Sequence, residues 1–216
     1  MKKTKALVMT SVSVEQEAVL RGLRGSDRFD VKLAGVGPAA AAASTATALA
    51  KGDYHLVVNM GIGGGFVGQA EVGSLVVASE IIAADLGAQT SEGFCSLDEL
   101  GFGTTRFSVD ANLVSRISEA LVSAGLSVKT GPVLTVSTVT GTAETAAELV
   151  ARIPGASIES MEGYGVATAA HFHNVPVLEI RAVSNPVGPR DRAAWRIPEA
   201  LQQLELASRV LLEVLS

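Results

Sequence analysis

Glu159-Ser160-Met161-Glu162-Gly163, a run of small residues from Tyr164 to Phe172, and then Pro176-Val177-Leu178-Glu179-Ile180-Arg181-Ala182-Val183 with Ser184-Asn185-Pro186 make up the stretch that decides the fold. The run after Gly163 reads as a helix, and the segment from Pro176 reads as a buried strand ending at a polar amide. A carboxylate at the start of the helix and an amide at the carboxyl end of the strand can face one crevice. That is where open α/β sheets place their ligands.

The same alternation runs outward from this stretch in both directions. Lys5 to Met9 reads as a strand, Glu15 to Leu23 as a helix stopped near Gly25, and Phe29 to Val36 as a strand. Gly37-Pro38 opens a helix reaching about Lys51, because proline has no amide to lose in the first turn. His55 to Met60 is a short strand, Gly61 to Gly68 a glycine-rich loop, Ser74 to Ser79 with the following isoleucines a strand, and Gly87 to Thr105 a surface excursion. Asp110 caps a helix that ends before Gly125, with Leu113, Ile117, Ala120, Leu121 and Ala124 on one face. Leu134 to Val139 is a strand, and Thr142 caps a helix through Leu149-Val150. Pro186 to Arg196 is a loop, and Pro198 starts a closing amphipathic helix. Strands alternating with helices over short connections predict a three-layer α/β/α sandwich around a mixed, mostly parallel central sheet. A length of 216 residues fits a single domain over 1–216.

The composition, 48% hydrophobic but 4% aromatic, suits close helix-to-sheet packing and argues against disorder. A formal net charge of −5 leaves no basic footprint, so no nucleic acid partner is expected. Cys95 stands alone, which favours a reducing compartment. Met1-Lys2-Lys3 leads straight into a strand and no apolar run is long enough to span a bilayer, so a cytoplasmic location without a membrane partner is expected.

Gly63, Gly65 and Gly68, with Asp85 downstream, satisfy the spacing of a dinucleotide fingerprint. The context refuses it, because that fingerprint needs a helix after the glycines and here Leu75-Val76-Val77 follow as strand. No lysine follows the loop, so a phosphate-cradling nucleotide loop is excluded as well. Glycines here let backbone approach a flat ligand, or simply make a tight turn. His171 and His173, two apart on a helix, point to opposite sides and do not jointly hold a metal. The remaining chemistry lies in carboxylates at element ends, Glu15, Glu17, Glu159 and Glu162, each of which taken alone also suits capping.

Glu17 with Leu20 after it, Asn59-Met60-Gly61-Ile62-Gly63-Gly64, Ser137-Thr138-Val139-Thr140-Gly141-Thr142, Ser160-Met161-Glu162 and Arg181-Ala182-Val183-Ser184-Asn185 follow one another along the chain. In that order and spacing the chain resembles the nucleoside phosphorylase and nucleosidase superfamily over nearly its whole length. The resemblance implies a purine nucleoside as the small-molecule substrate, no metal or other cofactor, and a homo-oligomer built from dimers. It implies Glu17 as general base on a water, Glu162 as the grip on the ribose hydroxyls and Met161 beneath the sugar. Thr138, Val139, Gly63 and Gly64 are expected against the purine, Asn185 at its N7 side, and Trp195 as an aromatic wall of the 5′ pocket.

Two departures from the family pattern carry information. Asn59-Met60-Gly61-Ile62 stands where the family's phosphorylases have Arg-x-Gly-Ser, which removes a guanidinium and a hydroxyl for phosphate and favours water as nucleophile. Asn185 stands where adenine-cleaving members have aspartate, and an amide can donate to a 6-oxo group and accept from protonated N7. Hypoxanthine or guanine is therefore expected as the base. Glu159 to Gly163, the loop Ser137 to Thr142 and the tail Arg190-Asp191-x-x-x-Trp195 are most similar to members that release hypoxanthine in the alternative menaquinone pathway, from a nucleoside bearing a benzoate on its 5′ side. Arg190, Arg192 and Arg196 beside Trp195 suit such a group, although they also suit a solvated loop. The alternatives are a methylthioadenosine/adenosylhomocysteine nucleosidase, an inosine-type phosphorylase, and a nucleoside-binding protein without turnover.

Overall fold

The computed structural model describes residues 5–215. Its centre is β3 (Tyr54–Gly65), flanked in parallel by β1 (Lys5–Thr10) on one side and β10 (Val177–Pro186) on the other. β2 (Phe29–Leu33) extends the sheet in parallel beyond β1. β10 also pairs antiparallel with β4 (Leu75–Ala83), β4 runs parallel to β8 (Val128–Thr135), β8 parallel to β9 (Ile158–Ser160), and β9 antiparallel to β3. β3, β10, β4, β8 and β9 thus close a circuit of hydrogen-bonded strands. β5 (Gly87–Thr90) and β6 (Gly93–Ser96) form a separate hairpin, and β7 (Arg106–Ser108) pairs with the end of β4.

Period-two alternation sorts the strands onto two helical layers. Ala6, Val8, Val58 and Ile180 share a core with Ala18, Val19, Leu204 and Leu211, which come from α1 (Ser13–Leu23) and α7 (Ile197–Val214). Leu7, Met9 and Val57 point the other way, to Ala41 and Leu49 of α2 (Pro38–Leu49) and Val166 and Ala170 of α6 (Gly163–Phe172). This is the expected α/β/α layering around a mixed sheet. α4 (Ala111–Ser123) buries Val114, Ile117 and Leu121 in the first layer, capped as expected by Asp110, whose carboxylate accepts from Leu113 N at 2.8 Å. α5 (Ala143–Arg152) is capped by Thr142, and its Leu149 joins a smaller core with Phe66, Leu134 and Ile153.

Three segments differ from the sequence expectation. The glycine run is not a loop, since β3 continues through Gly65 with β10 on one side and β9 on the other. Ladder bonds from both neighbours override the weak strand preference of glycine. β8 begins at Val128 and ends at Thr135, despite Gly131-Pro132 in its middle, because a register shift opposite Ala78 and Glu80 absorbs the proline. The excursion holds β5, β6 and the short helix α3 (Leu97–Leu100).

The abundance of small residues finds its reason where α2 meets α6. A Cβ on Gly165 would stand 2.1 Å from the carbonyl oxygen of Pro38, so the two helices touch backbone to backbone. Gly165→Ala gains roughly 1 kcal/mol of helix propensity but must force rigid backbone apart, an overpacking that costs about 1–3 kcal/mol or more. Urea unfolding should show a net loss of stability, with α6 displaced from α2.

Candidate active site

Arg181 organises the carboxyl ends of the central strands. It is fully buried on β10, directly opposite Gly61 of β3. Its Nε donates to Glu179 Oε1 at 2.8 Å, its Nη1 to the Ile62 carbonyl at 3.4 Å, and its Nη2 lies 3.2 Å from Glu162 Oε2. That last approach is an ion pair without hydrogen-bond alignment, which leaves Nη2 with no acceptor among the described residues. Burial works against the guanidinium charge, but Glu179, Glu162 and Glu15 outweigh it and hold the group charged. A Cβ on Gly61 would sit 2.4 Å from Arg181 Nη1 and 2.9 Å from Glu15 Oε1, so glycine is required there to give both groups their space.

Glu15 arrives from the other helical layer. It is the third residue of α1, and its Oε2 reaches back to accept from Ser11 N at 2.9 Å and Val12 N at 3.3 Å, as an acidic residue in a first turn does. Its Oε1 accepts from Ile62 N at 2.9 Å. Glu17, which the sequence reading assigned as the base, is exposed. Two residues on a helix are about 200° apart, so when Glu15 turns inward Glu17 must turn out, and the inward carboxylate at this helix start is Glu15. Glu162, at the cap of α6, is buried; its Oε1 accepts from Gly37 N at 3.3 Å and its Oε2 from Met161 N at 3.4 Å.

Asn185 lies further along β10, half-buried and opposite Gly64. Its Nδ2 donates to the Pro186 carbonyl at 3.0 Å and its Oδ1 accepts from Ser184 Oγ at 2.8 Å. Gly64 is packed against this amide, 3.3 Å from an added Cβ to Nδ2, whereas the missing side chain of Gly63 makes room for the Glu159 carbonyl at 2.6 Å. Gly63 is thus explained by protein packing. His171 lies with its ring centroid 5.4 Å from that of Phe107, and His173 is exposed. Among the described residues no group of three or more His, Cys, Asp or Glu side chains is placed to hold a metal.

The loop from Ser137 to Thr142 is held by two carboxylates. Ser137 N donates to Asp85 at 2.6 Å, and Thr140 donates to Glu159 through N at 2.9 Å and Oγ1 at 2.5 Å. Thr138 and Val139 are left exposed at its tip. Arg190 passes 4.0 Å from the Cβ position of Gly141, and its guanidinium stands 5.4 Å from the ring centroid of Trp195, with that of Arg192 at 6.0 Å. Arg196 is instead engaged by Glu199 at 3.0 Å, while its backbone N–H ties the loop to the Ser184 carbonyl at 2.7 Å.

The sequence reading passed over the charges of Arg181 and Glu179, which the structure brings into this cluster. Their signal was visible: two ionisable residues, two apart, on one face of an otherwise apolar strand.

Burial lifts the Glu159 carboxyl above its ordinary value of 4.5, the Thr140 hydrogen bonds pull it down, and Asp85 adds to the rise. Folding then favours the protonated form, so this residue subtracts stability as pH rises from 4.5 through the raised value. Glu159→Gln should abolish that contribution. In urea unfolding at a series of pH values, the stability of the variant relative to the unsubstituted chain should climb across this window.

Residues 15–216 match the profile of the phosphorylase superfamily. The chain is 54% identical over 229 residues to a futalosine hydrolase of Streptomyces coelicolor, covering 97% of this chain and 95% of the relative. It is 46% identical over 220 residues to a futalosine hydrolase of Acidothermus cellulolyticus, covering 96% and 90%. The native structure of a futalosine hydrolase of Helicobacter pylori has the same fold, with a TM-score of 0.85 over 98% of both chains at 16% identity. Matches that run almost end to end at this identity place the chain in the phosphorylase superfamily and, within it, in the futalosine hydrolase family.

Proposed function

We propose that the protein hydrolyses the N-ribosidic bond of futalosine to release hypoxanthine, as an N-glycosyl hydrolase of the alternative menaquinone pathway. The observation that carries this reading is the Asn185 amide beside Gly64, on the same strand that delivers Arg181 to Glu15 and Glu162. With Nδ2 3.0 Å from the Pro186 carbonyl, an aspartate at this position would set a carboxylate oxygen against a carbonyl. The amide can instead donate to a 6-oxo group and accept from N7 as the base departs protonated.

Glu15 takes the role of general base on the attacking water, replacing Glu17. Glu162 accepts from the ribose hydroxyls and strengthens that grip as positive charge grows on the sugar. Val139 and Thr138 cover the base and Met161 lies under the sugar. Arg181 and Glu15 already fill the space above Gly61, and Ile62 N is already donated to Glu15, which supports water over phosphate as nucleophile. The whole chain acts as one domain in the cytoplasm, as its lone Cys95 suits. It assembles as a homo-oligomer of dimers, which would cover the 80% exposed Phe102 beside the β5–β6 excursion. Among the described residues no helix is long and apolar enough to cross a membrane.

Futalosine, inosine and methylthioadenosine should be incubated separately in phosphate-free buffer and the released base identified by chromatography. Hypoxanthine from futalosine is expected; adenine from methylthioadenosine as the main product, or a need for phosphate, overturns the assignment. Glu15→Gln should lower kcat about 10²–10⁴-fold, the range of general base catalysis, while Glu17→Gln keeps the turnover of the unsubstituted chain.

At the 5′ end, Trp195 with Arg190 and Arg192 takes the benzoate, ring against ring and guanidinium against carboxylate. Single changes Arg190→Ala, Arg192→Ala and Trp195→Ala should include at least one that lowers kcat/KM about tenfold for futalosine and spares inosine, a tenfold loss being about 1.4 kcal/mol. Equal losses on both substrates would leave these residues a purely structural role.

A further inference from the structure

Behind the site lies a carboxylate that the proposed reaction does not use. Glu179 is fully buried, two residues before Arg181 and opposite Asn59. Its Oε1 accepts from Arg181 Nε at 2.8 Å and from Asn59 Nδ2 at 3.0 Å. Its Oε2 has no partner among the described residues and faces the start of α6, where a Cβ on Gly163 would stand 2.2 Å away. No acceptor waits there for a carboxylic proton, and two donors converge on the other oxygen, one of them cationic. That pattern suits the ionised form.

We infer that Glu179 is a positioning residue: it grips Arg181 from behind, so that the other face of the guanidinium presents Glu162 and Glu15 to the substrate. The inference rests on the functional reading above, in which Glu15 is the base. The geometry explains why the grip is specific. A guanidinium has a fixed fork of donors, so fixing Nε on Glu179 sets where Nη1 and Nη2 point. Nη1 then lies over Gly61 beside Glu15, and Nη2 beside Glu162. The ionisable groups around Glu179 are Arg181 on its own strand, Glu162 at the start of α6 and, across Arg181, Glu15 of α1. Burial lifts the Glu179 carboxyl, Arg181 pulls it back by charge and hydrogen bond, Glu162 adds to the rise and Asn59 opposes it.

Without the Glu179 carboxylate, Arg181 Nε loses its anchor and the fork of Nη1 and Nη2 is no longer held between Glu15 and Glu162. In Glu179→Gln, a folded protein with kcat lowered about 10–100-fold and KM changed far less is expected. A kcat equal to that of the unsubstituted protein, or kcat and KM changed alike, overturns the inference. If Glu179→Gln does not fold, Asn59→Leu repeats the test without touching the carboxylate. It removes the second donor from Oε1, loosens the grip on Arg181 and must lower kcat more than it changes KM; an unchanged kcat overturns the inference here too. The unsubstituted protein run alongside separates the two readings. If it releases no hypoxanthine from futalosine, the proposed function fails; if it does and the variants keep its kcat, only the role of Glu179 fails.

Discussion

A fully buried guanidinium is the constraint on which the rest of this structure depends. Taking such an ion out of water costs several kcal/mol even after relaxation, and Arg181 recovers that only by meeting partners from separate parts of the chain. Glu179 comes from its own strand, Glu162 from the start of α6, Glu15 from the first turn of α1, and the Ile62 carbonyl from β3. α1 and α6 lie on opposite faces of the sheet, so the ion pairs stitch the two helical layers together at the carboxyl ends of the strands. Two glycines follow as a consequence. Gly61 must lack a side chain because Arg181 and Glu15 fill its space, and Gly163 because Glu179 fills its own.

The charge balance of this cluster bears on the chemistry. One guanidinium faces three carboxylates, so the crevice carries an excess of negative charge when all are ionised. Such a site opposes the entry of a phosphate dianion and favours a sugar on which positive charge is growing, because Coulomb terms are large where water is excluded. A cluster that would be an unfavourable place for a ground-state anion is therefore a favourable place for an oxocarbenium-like transition state. The hydrolytic reading and the buried architecture have a common cause.

Much of the fold was legible because its signals are local. Short apolar runs marked β1, β4 and β10, and Asp110 and Thr142 marked their helix starts correctly. What escaped depends on partners distant in sequence. Gly61 to Gly65 reads as a loop until β9 and β10 are placed beside it, and the strand read from Leu134 begins at Val128 once its pairing with β4 is known. The site behaved alike. Glu162 and Asn185 were singled out by motif, and both stand at the carboxyl ends of the central strands. The choice between Glu15 and Glu17 turned on the phase of a helix whose start Val12 does not announce, since its side chain caps nothing. Arg181 was quoted as part of a motif and its charge passed over, although an arginine inside an apolar strand has to be paired by something.

Chemistry and selectivity are anchored differently in this molecule. The groups proposed to act on the glycosidic bond are buried and interlocked, so that changing one alters the environment of the others. Of the groups proposed to read the substrate, Asn185 stands on β10 itself, whereas Thr138, Val139 and Trp195 stand on loops fixed by a few hydrogen bonds. Ser137 and Thr140 hang on Asp85 and Glu159, and the segment carrying Trp195 hangs on the bond from Arg196 N to Ser184 O. Arg190 also passes 4.0 Å from the Cβ position of Gly141, so the two loops run side by side. Such a division lets one catalytic arrangement serve different nucleosides, because loops on a rigid scaffold tolerate change that a close-packed ion cluster does not.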